Sequence, residues 1–288
     1  MTVIDASYLR PRLLQRENDT HKRHYGHLLI IAGCERMPGA AVLATGAALQ
    51  SGCGLVTLHS TERALQATVN SYPSAMLSEE ADEHFSSVPE NLRKYAVIAV
   101  GPGLGREPGT MNAFMDLLAM ANEKKIPLVL DADALTSLSV IADWQDLIPE
   151  GSVLTPHMGE LRRLFPHGSD ETRILLAREL CVYSNCTLVM KGYQTKVFLP
   201  SGSCLVNQTG GPGLAKGGSG DVLTGLVGGL LARGYSPEDA AALGVWIHGY
   251  AGDCLTAERT AEAFSSRDLV DYLWKGFKEL INTQSLSR

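Results

Sequence analysis

NQTGGPGLAKGGSGDVLTGLVGGLLARG, residues 207–234, is a glycine-rich loop that runs straight into an apolar segment. Six of the eleven residues from Gly210 to Gly220 are glycine. Such a backbone turns sharply and can bring several N–H groups to one ligand. From Val222 the apolar residues recur at Val222, Leu223, Leu226, Val227, Leu230 and Leu231, the spacing of a helix with one buried face, and Gly234 is a natural stop. A helix N-terminus behind a glycine loop presents unpaired N–H donors and a positive dipole end, which suits a phosphate. Asp221 stands where that helix begins. A carboxylate beside a phosphate in transit can accept the proton of the hydroxyl being phosphorylated; the alternative is a plain N-cap aspartate.

Working outward, short apolar runs alternate with helical segments. His27–Ala32 (HLLIIA) predicts a strand buried on both faces, followed by a turn at GCERMPG and a helix over Ala40–Ser51. Further strands are expected at 55–58, 95–100, 127–130, 152–154 and 187–190, with a hairpin formed by 196–199 and 204–206 around Pro200-Ser201-Gly202. Helices are expected at 111–122, around 173–183, from the Ser236-Pro237 start signal onward, and at 265–281. Residues 59–93 carry no legible chemistry. Strands alternating with helices predict an α/β fold with a mostly parallel sheet covered on both faces, as one domain over 1–288 with a polar leader at 1–20 and a frayed tail at 283–288. In such sheets ligands collect at the carboxyl ends of the strands, where segments 101–105, 131–133, 155–160, 191–195 and 207–221 all fall.

Composition bounds the partners. Hydrophobic residues make up 45% and charged residues 19%, with no apolar run long enough to span a bilayer and no secretory signal pattern, so a cytoplasmic protein with no membrane partner is expected. The net charge is −6 and the basic residues between Arg10 and Arg23 are interrupted by acids, which argues against nucleic acid. The six cysteines show neither C-x-x-C nor zinc-finger spacing and read as reduced, mostly buried thiols.

The other candidates each carry two readings. GPGLG at 101–105 is neither G-x-G-x-x-G nor a Walker A motif, and is either a ligand-facing turn or a tight strand-to-helix link. Asp131 and Asp133 are a possible metal pair or a helix cap and a solvated turn. His157, on a turn behind Pro156, is a ligand contact or a satisfied structural histidine. Lys191 either meets phosphate or snorkels, and His248 falls within a helix, where packing is the expected role. Spacing alone therefore defines a nucleotide-phosphate site with a carboxylate base and names no substrate.

The ordered set GHLLIIAG…MPGAAVLAT, SGCGLVTL, AVGPGLG, PLVLDADAL, LTPHMGEL, VMKGYQT and NQTGGPGLAKGGSGDVLTGLVGGLLARG resembles the NAD(P)H-hydrate dehydratases of the ribokinase-like superfamily, over roughly residues 20–275. The resemblance implies a ribokinase-like three-layer αβα sandwich and a repair lyase. It would convert the (6S)-hydrate of NADH or NADPH back to the reduced coenzyme at the expense of ADP, the usual donor in bacterial members, or ATP. It implies Mg2+ with the nucleotide as co-substrate, no protein-bound metal of its own, and a homo-oligomer, often a tetramer. An epimerase for the other hydrate is expected as a separate protein.

Carried over by motif, Ala40, Ala41, Gly103, His157 and Asp221 would touch the hydrate, with Asp221 as the base. Lys191, Gly192, Tyr193, Gln194 and Thr195, with Gly217, Gly218, Ser219 and Gly220, would hold the nucleotide. The chain departs from the family pattern at Met158, Gln208, Gly211, Lys216 and Ser219. Lys216, an added cation beside the phosphate loop, is expected to alter nucleotide affinity or the preference between ADP and ATP. Two other readings stand beside this one: a small-molecule kinase of the hydroxyethylthiazole or pyridoxal type, and a non-catalytic nucleotide-binding sensor.

Overall fold

The computed structural model describes residues 1–282; the tail expected at 283–288 lies outside them. Ten strands form one sheet among the described residues: β1 (Thr2–Ile4), β2 (His27–Ile31), β3 (Leu55–Ser60), β4 (Met76–Glu79), β5 (Val97–Val100), β6 (Leu128–Leu130), β7 (Val153–Leu154), β8 (Thr187–Met190), β9 (Lys196–Phe198) and β10 (Cys204–Asn207). The order across the sheet is β1-β10-β9-β8-β7-β6-β5-β2-β3-β4. Only β9 runs against its neighbours, as the expected hairpin requires.

Among the described residues ten α-helices connect or cover these strands: α1 (Ala6–Leu9), α2 (Pro38–Gln50), α3 (Glu62–Ser71), α4 (Pro108–Lys124), α5 (Ala132–Leu138), α6 (Met158–Leu164), α7 (Asp170–Tyr183), α8 (Ser219–Ala232), α9 (Pro237–Glu258) and α10 (Ser266–Asn282). The continuous run Leu28-Leu29-Ile30-Ile31 shows why a parallel strand needs cover on both sides. Leu28 and Ile30 join one core with α2, α8, α9 and α10, whereas Leu29 and Ile31 join a second with α4 to α7. The result is the three-layer sandwich, with the ribokinase-like arrangement expected from the motifs.

Three expectations change. The stretch read as a polar leader contains β1, which pairs in parallel with β10 and buries Ile4, and Leu9 of α1 is fully buried. The uncommitted segment 59–93 supplies α3 and β4, and its Glu80 is buried against His59 at 3.1 Å. Four N–H or O–H groups of Ser86 and Ser87 also donate to Glu80, so this carboxylate folds the acidic segment onto the sheet edge.

Helix α8 is buried on nearly every side, against the expectation of one buried face. It passes between the sheet and α2, and glycine is what lets it through. A Cβ at Gly225 would stand 1.9 Å from the carbonyl oxygen of Ala44, and one at Gly228 would stand 3.1 Å from the methyl carbon of Ala99. The small residues of α2 and α8 thus trade side-chain bulk for close approach, which sets the start of α8 over the carboxyl edge of the sheet. Of the six cysteines, Cys34, Cys181 and Cys186 are buried and the other three half-buried, and none forms a disulfide.

Candidate active site

The polar segments that follow β6, β7 and β8 meet at one place. The turn from β6 into α5 holds Ala132 at φ +50°, an uncommon conformation for a residue with a Cβ. It sets Asp131 and Asp133 on a sharp corner. Asp131 is almost fully buried, and both its oxygens are occupied: Lys191 Nζ donates to Oδ1 at 2.5 Å and Thr224 Oγ1 of α8 to Oδ2 at 2.7 Å. Behind β8, Lys191 also faces Glu160 Oε2 at 3.8 Å. Its ammonium is thus enclosed by carboxylates, and although burial works against its charge, Asp131 and Glu160 hold its pKa above the ordinary lysine value.

His157 caps α6. Its Nδ1 accepts the Glu160 N–H at 3.2 Å, while the His157 N–H donates to Glu160 Oε2 at 2.8 Å. The histidine is a satisfied cap, and its ring, 54% exposed, also lines a cavity of about 740 Å³, where a ligand could reach it. Burial raises the pKa of Glu160, against the opposing pull of Lys191.

The glycine loop forms the cavity's other wall. Lining residues include Lys191, Gly192, Tyr193, Thr195, Gly217, Ser219, Gly220 and His248. Cβ atoms added at Gly192 or Gly217 would meet nothing within 4 Å, so both peptides face open space. Gly218 instead turns inward at φ +89°, against Leu43 and Ser266, and Gln194 forms the left-handed corner of the 191–195 turn at φ +56°. Tyr193 is 92% exposed at the cavity mouth.

The loop is tied to α9 along its length. Thr209 Oγ1 donates to the Trp246 carbonyl at 3.0 Å, and Asn207 Nδ2 to that of Val245 at 3.2 Å. The Gly210 N–H donates to Asp253 at 2.9 Å. At the loop's far end His248 Nε2 donates to the Ser219 carbonyl at 2.9 Å, which sets the tautomer, and burial pushes its pKa down to about 4, so the ring is neutral near pH 7. His248, expected to be a packing residue, is thus a wall of the cavity and a brace for the start of α8.

Asp221 sits in the first turn of α8. Burial first, then the neighbouring charge of Asp131, raises its pKa to about 6, despite the opposing effect of Lys191; Asp133 adds to the rise. A base in that range is ionised at neutral pH yet basic enough to take a proton. Asp133 accepts the Gly105 N–H at 3.0 Å, which links Asp221's surroundings to the GPGLG turn. That turn packs on α2: a Cβ at Gly103 would lie 2.8 Å from the Ala40 Cβ. Ala41 is fully buried in the core beside Gly33, so its side chain faces no ligand; of the alanine pair, Ala40 is the one left on the surface of this corner.

The sheet's order reverses between β5 and β2, a switch point of the kind at which such sheets bind ligands, and the two loops that leave these strands, GPGLG and GCERMPG, meet there: the Gly33 N–H donates to the Pro102 carbonyl at 2.8 Å. Ala40 and Gly103 lie at this junction, and Asp221 is near the charges of Asp131, Asp133 and Lys191 without lining the cavity itself. Lys216 lines the same cavity, but its ammonium is engaged with the protein: it donates to the carbonyls of Phe264 at 2.7 Å, Ala261 at 2.8 Å and Glu262 at 3.3 Å.

A parallel αβα sandwich with an anion loop, a helix N-terminus and a perturbed carboxylate at its carboxyl edge defines a ribokinase-like protein. Within that class the chain belongs to the NAD(P)H-hydrate dehydratase family, whose model matches residues 28–275. It is 33% identical to the ADP-dependent (S)-NAD(P)H-hydrate dehydratase of Bacillus subtilis, covering 94% of this chain and 97% of that one. A crystal structure of the Bacillus subtilis ADP/ATP-dependent dehydratase, co-crystallised with ATP and Mg2+, superposes with a TM-score of 0.83 at 30% identity, over 97% of this chain and 98% of that one. The bifunctional NAD(P)H-hydrate repair enzyme of Moorella thermoacetica is 36% identical over 94% of this chain, which spans 53% of that protein's length. This chain covers about half of several such bifunctional relatives.

Proposed function

We propose that this protein dehydrates the (6S)-hydrate of NADH or NADPH at the expense of ADP or ATP. The observation that carries the reading is the place of Asp221 in the first turn of α8, directly behind the glycine loop and beside Asp131 and Lys191, where burial and the Asp131 charge raise its pKa to about 6. In this reading the hydrate lies along Ala40, Gly103 and His157, and the nucleotide along residues 191–195 and 217–220.

Asp221 takes the proton of the substrate hydroxyl as its oxygen bonds to the terminal phosphorus, and the bond from phosphorus to the leaving AMP or ADP breaks. The new phosphate ester is a far better leaving group than hydroxide. Its C–O bond then breaks, phosphate departs with the electron pair, and a proton lost from the neighbouring ring carbon restores the double bond. The amides of Gly217 to Gly220 face the charge that builds on the phosphoryl oxygens.

Magnesium fits as a nucleotide-borne ion. Among the described residues no cluster of three or more His, Cys, Asp or Glu could hold a metal, and Asp131 is occupied by Lys191 and Thr224. A magnesium ion bound mainly by phosphates and water needs one or two carboxylates, and Asp133, whose Oδ2 accepts the Gly105 N–H, would be the one to supply an oxygen. When bound it neutralises phosphate charge.

We further propose a homotetramer working in the cytoplasm beside an epimerase. Among the described residues no helix is long and apolar enough to cross a membrane. The test is to incubate the protein with chemically prepared NADH hydrate and follow dihydronicotinamide absorbance on adding ADP or ATP. Recovery with either nucleotide is expected. No recovery with either sinks the reading, and a phosphorylated product accumulating without recovery would favour a small-molecule kinase.

A further inference from the structure

Lys216 is the residue in the anion loop whose chemistry the proposed reaction leaves unused. Its ammonium lies among three backbone carbonyls, those of Ala261, Glu262 and Phe264, and 3.8 Å from the centre of the Phe264 ring. All three carbonyls belong to the link between α9 and α10. A second tie runs the opposite way: Ser266 Oγ, at the start of α10, donates to the Gly217 carbonyl at 2.7 Å. Gly213 completes the contact, since a Cβ there would stand 2.7 Å from the Phe264 ring.

We propose that Lys216 is a positioning residue that clamps the anion loop to the α9–α10 link and so holds the Gly217–Gly220 amides in register for the phosphate. This deepens the proposed reaction and rests on it for its kinetic arm. The physical ground is the commitment of the charge. An ammonium has three donors, and three carbonyls take them, so little is left for a nucleotide. Hydrogen bonds from a charged donor are stronger than neutral ones, and pinning the peptide next to the ligand-facing Gly217 removes loop freedom that phosphate binding would otherwise have to quench. The loop becomes braced on both sides, by α9 through Asn207, Thr209 and Asp253, and by the α9–α10 link through Lys216.

Hydrogen–deuterium exchange of the native protein, Lys216→Met and Lys216→Gln decides the matter without reference to activity. Lys216→Met should speed exchange about tenfold or more in segments 210–220 and 259–266 together, the scale of one lost charged hydrogen bond, while β2, β5 and α4 keep their native rates. Lys216→Gln, which keeps donors without the charge, should fall between and carries the test if the Met variant folds poorly. In the kinetic arm kcat should fall while the ratio of kcat/KM with ADP to that with ATP stays at the native value. Unchanged exchange in both segments, or a several-fold shift of that ratio, overturns the proposal, the latter because it would mean the ammonium meets the nucleotide. Should the native protein fail to restore NADH, the exchange arm still stands.

Discussion

Lys191 Nζ lies 2.5 Å from Asp131 and 3.8 Å from Glu160, so one ammonium serves carboxylates delivered from two other strands. With 19% of its side chain exposed, it is held inside the charged cluster rather than snorkelling out of it. Lys191→Met would leave two buried carboxylates without their cation, and we expect a loss of about 3–5 kcal/mol, the scale for breaking a buried pair. Urea denaturation measures it. A loss under about 1 kcal/mol would mean the cluster relaxes into water and the ammonium is dispensable to the fold.

Ionisation of Asp221 should set the acid side of the activity profile. Its pKa stands near 6, so kcat/KM should rise through about pH 6 and level off above it. Asp131→Asn removes a neighbouring negative charge, one of the causes of that raised value, and should move the inflection toward lower pH. An inflection that stays put in this variant would detach Asp131 from the base.

Asp221→Asn separates catalysis from stability. We expect the rate to fall about 10²–10⁴-fold, the usual scale for losing a general base. The fold should gain. A carboxyl whose pKa is raised in the native state favours folding below its unfolded value of 3.8 and loses that contribution as pH climbs through about 6. Replacing Asp221 should therefore raise stability at pH 8 by on the order of 2 kcal/mol, and the gain should shrink to well under about 1 kcal/mol at pH 4. Melting curves at the two pH values check the sign; equal gains at both would refute the linkage.

Two glycines should respond in opposite ways. Gly225→Ala drives a methyl group toward a position 1.9 Å from the Ala44 carbonyl oxygen, and the backbone of α2 must move to admit it. We expect a cost of about 2 kcal/mol or more, with nucleotide affinity lost only as the fold is lost. Gly217→Ala meets no protein atom within 4 Å. It should leave the melting temperature within about 1 °C and weaken ADP binding at least tenfold by filling space meant for phosphate. Native affinity in that variant would place the phosphate elsewhere.

The glycine loop, the alternating strands and the place of Asp221 at the start of α8 could all be read from residue order, because each is written in local periodicity or turn chemistry. What escaped was set by distance in sequence. Nothing near Asp131 announces that Lys191, sixty residues on, and Thr224, ninety-three residues on, will each take one of its oxygens. The brace from His248 to Ser219 and the carbonyl nest around Lys216 are likewise products of how α9 and α10 fold back. Strand β1 was hidden by its three-residue length, too short for any pattern to register. Ala41 looked equivalent to Ala40 until the phase of α2 turned it toward Gly33.

Asp131, Glu160 and Lys191 descend from β6, β7 and β8, three strands that lie side by side. The spacing of their backbones is therefore inherited largely from the hydrogen-bonded pitch of the sheet, close to ~4.8 Å per strand, and the long Lys191 side chain reaches across it to both carboxylates. The sheet acts as a ruler for charge. Asp131 and Lys191 directly follow β6 and β8, so a one-residue register slip in either strand would put its charge on the wrong face, whereas Glu160 is aimed by the first turn of α6.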